Sequence, residues 1–207
     1  MGRITSSIGA IVSGRVGNVV YYQLRGKSYV RAIPLRKKDS WTPAQQLHRQ
    51  RISKVGELWK QLKSTRIAQI WNLASEEMNG YAYFMKINLS AFGADCHLTD
   101  PRELQLSTGK LRLPLELEAE RTSPGSNTIT VSWINDPQLK GIRLQDELMM
   151  VSSANGIYSV LTPAGLKRSS LGGLFTLPVK PVDATHVYLF FASQDGMDYT
   201  ESVCFQI

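Results

Sequence analysis

The chain has 207 residues, 43% hydrophobic and 20% charged, with a formal net charge of +7. This composition fits folded domains and excludes a disordered or collagen-like chain, and two cysteines, Cys96 and Cys204, do not make a disulfide framework and are read as reduced. Charge is unevenly spread: residues 1–70 hold 14 Lys/Arg and 2 Asp/Glu, whereas residues 71–207 hold 10 and 15, a polarity that points to an anionic partner for the first part or to attraction between oppositely charged parts, within one chain or between copies.

The opening MGRITSSIGAIVSG is too glycine-rich and too weakly apolar for a secretory signal. No apolar run reaches the roughly 20 residues of a membrane helix. The expectation is a cytoplasmic protein, or one associated with a virion or mobile element, with no membrane partner. Residues 1–40 alternate β-branched and aromatic residues between glycines, and 19–23 and 27–33 read as paired strands. The link Leu24-Arg25-Gly26 suits a type I turn closed by a glycine bulge, because a two-residue primed turn would force Arg25 to positive φ. That register sets Tyr21 opposite Tyr29 and Val19 opposite Arg31. Residues 4–12 are a candidate further strand.

Ser40-Trp41-Thr42-Pro43-Ala44-Gln45 is a helix start, with Thr42 as N-cap, Pro43 in the first helical position and Gln45 completing a capping box. Leu47, Ile52, Val55, Leu58, Trp59 and Leu62 then recur at helical spacing, and Arg51 falls inside their arc. A second helix is predicted over 65–78, stopped by Asn79-Gly80, and a third over 81–89. These form a helical region, 41–98, packing with the hairpin. The period changes over 105–207. Leu113, Leu115, Leu117 and Ala119 alternate with acids; Ile129, Val131 and Trp133 alternate with polar residues; further strands are read at 147–152, 157–162, 174–177, 187–192 and 202–207. Short strands between Gly/Pro/Asp turns imply an antiparallel β-sandwich of fibronectin- or immunoglobulin-like kind, with Trp133 in its core. The fold class is therefore α+β: hairpin, short helices, sandwich.

Reactive chemistry is thin. Gly26-Lys27-Ser28 ends like a phosphate-binding loop, but Tyr21 stands where the motif needs its first glycine, and a strand rather than a helix follows. Asp95-Cys96-His97 with Asp100 reads as a polar linker, since adjacent residues rarely chelate one ion. Asp146-Glu147 reads as a strand edge, and no base pairs by motif with a Ser or Cys. No cofactor is expected. The chemically richest stretch interleaves Tyr21, Tyr22 and Tyr29 with Arg15, Arg25, Lys27 and Arg31, and Arg36, Lys37 and Lys38 follow; the candidate surface is Tyr21, Arg25, Lys27, Tyr29, Arg31, Arg36, Lys37 and Lys38. Aromatics on a basic sheet stack nucleobases while cations meet phosphates. In the opposing reading the tyrosines cover the hairpin's buried face and the cations are its wet edge.

Four stretches, SGRVGNVVYYQLRGKSYVR, TPAQQLHRQRI, LQLSTGKL and HVYLFFASQDGMDYTESVCFQI, resemble a bacterial domain-of-unknown-function family frequent in Bacteroidetes, with some similarity to phage and mobile-element proteins. The chain departs from that pattern at Ile52, where an aromatic is common. The resemblance implies a basic N-terminal module joined to a fibronectin- or immunoglobulin-like sandwich and carries over no catalytic residue. The expected function is a non-enzymatic structural or interaction role, through a protein partner or self-association. The alternative is nucleic-acid binding through the first 70 residues.

Overall fold

The computed structural model describes residues 2–3, 13–34, 41–63, 65–178 and 184–207. The chain forms two compact units, Met1–Thr42 and Pro43–Ile207. The candidate strand at 4–12 lies outside the described residues.

The first unit is an antiparallel sheet in the order β1-β4-β3-β2, formed by β1 (Gly2–Arg3), β2 (Gly14–Val16), β3 (Val19–Leu24) and β4 (Lys27–Ala32). The hairpin is present, but its register is one residue away from the expected one. Tyr22 faces Tyr29, Tyr21 faces Val30 and Val20 faces Arg31. The cause is the turn. Leu24 pairs with Lys27, leaving a two-residue loop in which Arg25 (φ 51°) and Gly26 (φ 72°) both adopt left-handed backbone. Such primed turns match the right-handed twist of the strands they join, and that gain outweighs the steric cost at Arg25, about 1–2 kcal/mol for a residue with a Cβ.

In the second unit α1 (Pro43–Leu62) begins at the expected proline and buries Val55, Leu58 and Leu62. Arg51, inside the apolar arc, extends its guanidinium to the Leu89 carbonyl at 3.0 Å. Gly56 sits in the middle of this helix, at a cost of about 1 kcal/mol relative to alanine; a Cβ there would meet the Tyr81 hydroxyl at an ordinary 3.4 Å. The second helix, α2 (Ile67–Ala74), is shorter than expected. Asn79 and Gly80 do not stop it; they start α3 (Gly80–Asn88), where the Asn79 side chain accepts from the Ala82 amide at 2.7 Å. Glycine is required at 80 because a Cβ would lie 2.4 Å from the Asn72 side chain. Trp59 and Trp71 pack on Phe84 with ring centroids 5.1 and 5.2 Å away.

The remaining strands form two antiparallel sheets. One has the order β10-β6-β5, from β5 (Leu115–Arg121), β6 (Thr128–Ile134) and β10 (Gly172–Thr176). The other has the order β12-β11-β7, from β7 (Glu147–Ala154), β11 (His186–Ala192) and β12 (Val203–Gln206), with β8 (Ile157–Tyr158) and β9 (Thr162–Lys167) both pairing β7. The single strand expected over 157–162 thus splits in two. Strand β10 lies beside β9, and β5 beside β12, so edges of the two sheets shield one another.

The β7–β11 sheet is covered on both faces. Val187, Leu189 and Phe191 share a core with Ile129, Val131, Trp133 and Phe175 of the smaller sheet. Tyr188, Phe190, Met149 and Val151 share another with Val55, Ile70, Trp71 and Phe84 of the helices. The helical region is therefore one layer of the same body as the strands. The stretch read as a polar linker is mostly exposed, with Asp95 and His97 at the surface and Cys96 buried, and the chain then enters the body, where Leu104 and Leu106 are core residues. Asn88, fully buried, donates to the carbonyls of Phe84 (3.2 Å) and Gln105 (3.0 Å) and accepts from the Gln105 amide (2.7 Å). Trp71 Nε1 donates to the Leu106 carbonyl at 3.1 Å.

In β5 the alternation breaks. Leu115 pairs with Ile134 and Glu118 with Ser132, so one extra residue is accommodated, and Glu116 takes φ 51°. This bulge turns Leu115 off the core face on which Ala119 lies.

Two stability outcomes follow from these contacts. Arg25→Asn, a residue that tolerates positive φ, should slow hydrogen exchange of the β3 and β4 amides several-fold, corresponding to about 0.5–1 kcal/mol. Asn88→Ala should lower the urea-derived stability of the second unit by about 2–3 kcal/mol, because it strands the Gln105 amide and buried carbonyls.

Candidate functional site

The hairpin sorts its side chains by register. Val20, Tyr22 and Leu24 share a face with Lys27, Tyr29 and Arg31, and Val19, Tyr21 and Gln23 share the other with Ser28, Val30 and Ala32. On the first face Tyr22 and Tyr29 stack with centroids 5.6 Å apart and planes 21° apart, and the Arg31 guanidinium sits 5.7 Å from the Tyr22 ring centre. The structure thus brings together Tyr22, Lys27, Tyr29 and Arg31 of the interleaved aromatics and cations, and places Tyr21 on the opposite face and Arg25 at the turn. Both stacked tyrosines are half-buried and Arg31 is exposed. Arg36, Lys37 and Lys38 lie outside the described residues. Tyr21 was expected opposite Tyr29 and Tyr22 is found there, because the register decides which tyrosine joins Tyr29 and that register turned on a conformation Arg25 was expected to avoid.

The second unit holds a polar cluster that the sequence reading passed over. Asp146, expected on a strand edge, is buried, and so is Arg168 (each 1% exposed). Arg168 Nε lies 3.5 Å from Asp146 Oδ2, its Nη2 donates to the Arg112 carbonyl at 2.5 Å, and its guanidinium stacks 4.6 Å from the Phe191 ring centre. Its main chain is equally engaged. The Arg168 amide donates to the Asp146 carbonyl (3.0 Å), and the Arg168 carbonyl accepts from Trp133 Nε1 (3.2 Å) and Asn135 Nδ2 (2.9 Å). Arg143 bridges Asp146 (3.7 Å) and Asp198 (3.4 Å). Burial pushes the Asp146 carboxyl above the ordinary carboxylate range, against the pull of Arg168 and Arg143, and burial lowers the Arg168 guanidinium from its usual value. A cleft of about 410 Å³ opens over the pair, lined also by Arg112, Asp136 and Lys140. A guanidinium tied to a carbonyl, a carboxylate and a ring, with its main chain held by both sheets, makes this cluster a clasp between the smaller sheet and the β7–β11 sheet.

The other reactive side chains do not converge. His48 and His97 are exposed; His186 is half-buried, 2.9 Å from Thr185 Oγ1, and burial with nearby Arg102 holds its imidazole below the usual value. Cys96 and Cys204 are free and buried, and burial pushes the Cys204 thiol up to about 11, far from a reactive thiolate. Among the described residues no group of three His, Cys, Asp or Glu is placed to hold a metal ion, and no helix is long and apolar enough to cross a membrane. Compared with protein-family models and with curated proteins, the chain matches none.

The clasp reading has a stability signature. Arg168→Met should cost about 3–5 kcal/mol in urea unfolding at pH 7, and Arg168→Met with Asp146→Leu should recover most of it, because a lone buried charge is worse than none. In the single variant Asp146 loses its partner and its folded-state pKa rises further above the unfolded value of about 3.9. The fold then binds the proton more tightly than the unfolded chain, so stability is greatest below that value and falls as pH rises through the folded pKa. The deficit relative to the parent should therefore shrink between pH 7 and pH 4.

Proposed function

We propose that this chain is a non-enzymatic structural or interaction protein in which a basic ribbon serves as the recognition element of a fibronectin- or immunoglobulin-like sandwich body backed by helices. The observation that carries the reading is the Tyr22–Tyr29 stack topped by Arg31, flanked by Lys27, on a compact unit of its own. Rigid aromatics beside a guanidinium are the residue types that dominate protein-recognition hot spots, since they bury much area with few torsions to freeze. The body supports a scaffold role, because its buried polar groups are spent on holding layers together. The resemblance to the Bacteroidetes family and to phage-like proteins points to an accessory or assembly component.

One observation favours a second reading, nucleic-acid binding through the basic first 70 residues. The same face joins ring surfaces to cations, the combination that stacks single-stranded bases and meets their phosphates.

A paired experiment separates them. In cells, photo-crosslinking from a residue beside Tyr29 should give discrete protein adducts that Tyr22→Ala/Tyr29→Ala/Arg31→Glu removes, while anisotropy with labelled single-stranded DNA and RNA stays flat at ~50 mM salt. An oligonucleotide signal that weakens at least ~10-fold between ~50 and ~200 mM salt would transfer the face to nucleic acid. Adducts unchanged in the triple variant would remove the ribbon from the function altogether.

A further inference from the structure

The Pro43–Ile207 unit leaves two apolar features partly exposed. The first is a groove of about 420 Å³ on α1, lined by Ile52, Gly56, Trp59 and Tyr81 and rimmed by Lys60 and Lys63. Trp59 and Tyr81 form one wall, with centroids 5.8 Å apart. Gly56 makes the notch, at a position where the helix has room for a side chain and where its backbone would be better served by one. The second feature is Leu115 with its cross-strand partner Ile134, 52% and 51% exposed. Leu115 points outward only because Glu116 adopts left-handed backbone in the β5 bulge, a strain that regular alternation would avoid. Exposed Glu116 and Glu118 adjoin this pair.

The two features match in chemistry: an apolar notch with a cationic rim, and an apolar knob with anionic flanks. They cannot meet within one chain. The groove belongs to the helical layer, the knob to the outer face of the smaller sheet, and the β7–β11 sheet lies between those layers. We propose that a second copy of this chain seats Leu115 and Ile134 in the α1 groove, with Glu116 and Glu118 against Lys60 and Lys63, so that copies associate head to tail. Each copy then keeps one unused knob and one unused groove, and the contact propagates into a file or closes as a ring. This deepens the structural reading of the function but makes no use of the ribbon.

The test is sedimentation velocity on the full chain from ~10 μM to ~1 mM, since so small a contact holds weakly. Average mass should rise with concentration beyond that of a dimer. Gly56→Met, which fills the notch with a good helix former, and Leu115→Glu, which charges the knob, should each leave a monomer, and far-ultraviolet circular dichroism checks that both stay folded. An equimolar mixture of the two variants retains one intact groove and one intact knob, and should climb to dimer mass and stop there. Lys60→Glu/Lys63→Glu should disperse the parent assembly, and mixing that variant with Glu116→Lys/Glu118→Lys should restore assembly beyond dimer mass, because the knob of each variant then matches the groove of the other. A parent that stays monomeric to ~1 mM, a Gly56→Met variant that assembles like the parent, or a mixture that remains monomeric would each overturn the proposal. Assembly should persist in Tyr22→Ala/Tyr29→Ala/Arg31→Glu, so failure here and failure of the ribbon reading give different results.

Discussion

The second unit depends on the double burial of its central pair of strands. Along β11 successive side chains enter different cores: Val187, Leu189 and Phe191 meet the smaller sheet, and Tyr188 and Phe190 meet the helices. Each such side chain contributes about 1.5–3 kcal/mol by leaving water, and the period of two sends that gain to both neighbours at once. Two of the three helices are short: α2 and α3 span little more than two turns each, below the length at which a helix stands alone in water.

Polar groups hold register where apolar contact cannot. Hydrophobic burial is non-directional and leaves layers free to slide. Arg168, with its carbonyl held by Trp133 and Asn135 and its guanidinium facing Asp146, fixes the smaller sheet against the larger one. Asn88 and Trp71 fix the crossing segment around Gln105 and Leu106 beneath the helices. The first unit works differently. None of residues 13–34 is fully buried, and the unit's order comes from strand pairing, the turn at Arg25-Gly26 and the cross-strand tyrosine stack.

Much of this architecture was legible in the chain. The Thr42-Pro43 start signalled α1, the alternation around Trp133 signalled a buried strand, and the glycine-punctuated N-terminus signalled a hairpin. The errors share a cause: in each, a local rule yielded to a contact distant in sequence or to strand twist. Asn79-Gly80 carries the letters of a helix stop, yet Gly80 packs on Asn72 and opens the next helix. The strand read at 187–192 is found as β11, although its apolar run carries no alternation because both faces are covered. Asp146 looked like a surface acid because its partner lies 22 positions away in β9's exit turn, a separation that no periodicity reports. At the ribbon, a one-residue difference in turn geometry moved Tyr21 off the face and brought Tyr22 onto it.

The same long-range closure governs how the chain emerges from the ribosome. The Leu106 amide finds its acceptor on Ser202, 96 residues later, and the helical aromatics rest on strands that are translated near the end. At about 5–20 residues per second, Trp71 and Phe84 spend on the order of 10 s or more without the surface they pack against. Met149 and Val151 of β7 emerge first, and the face that receives the helical aromatics is complete only once Tyr188 and Phe190 of β11 have followed.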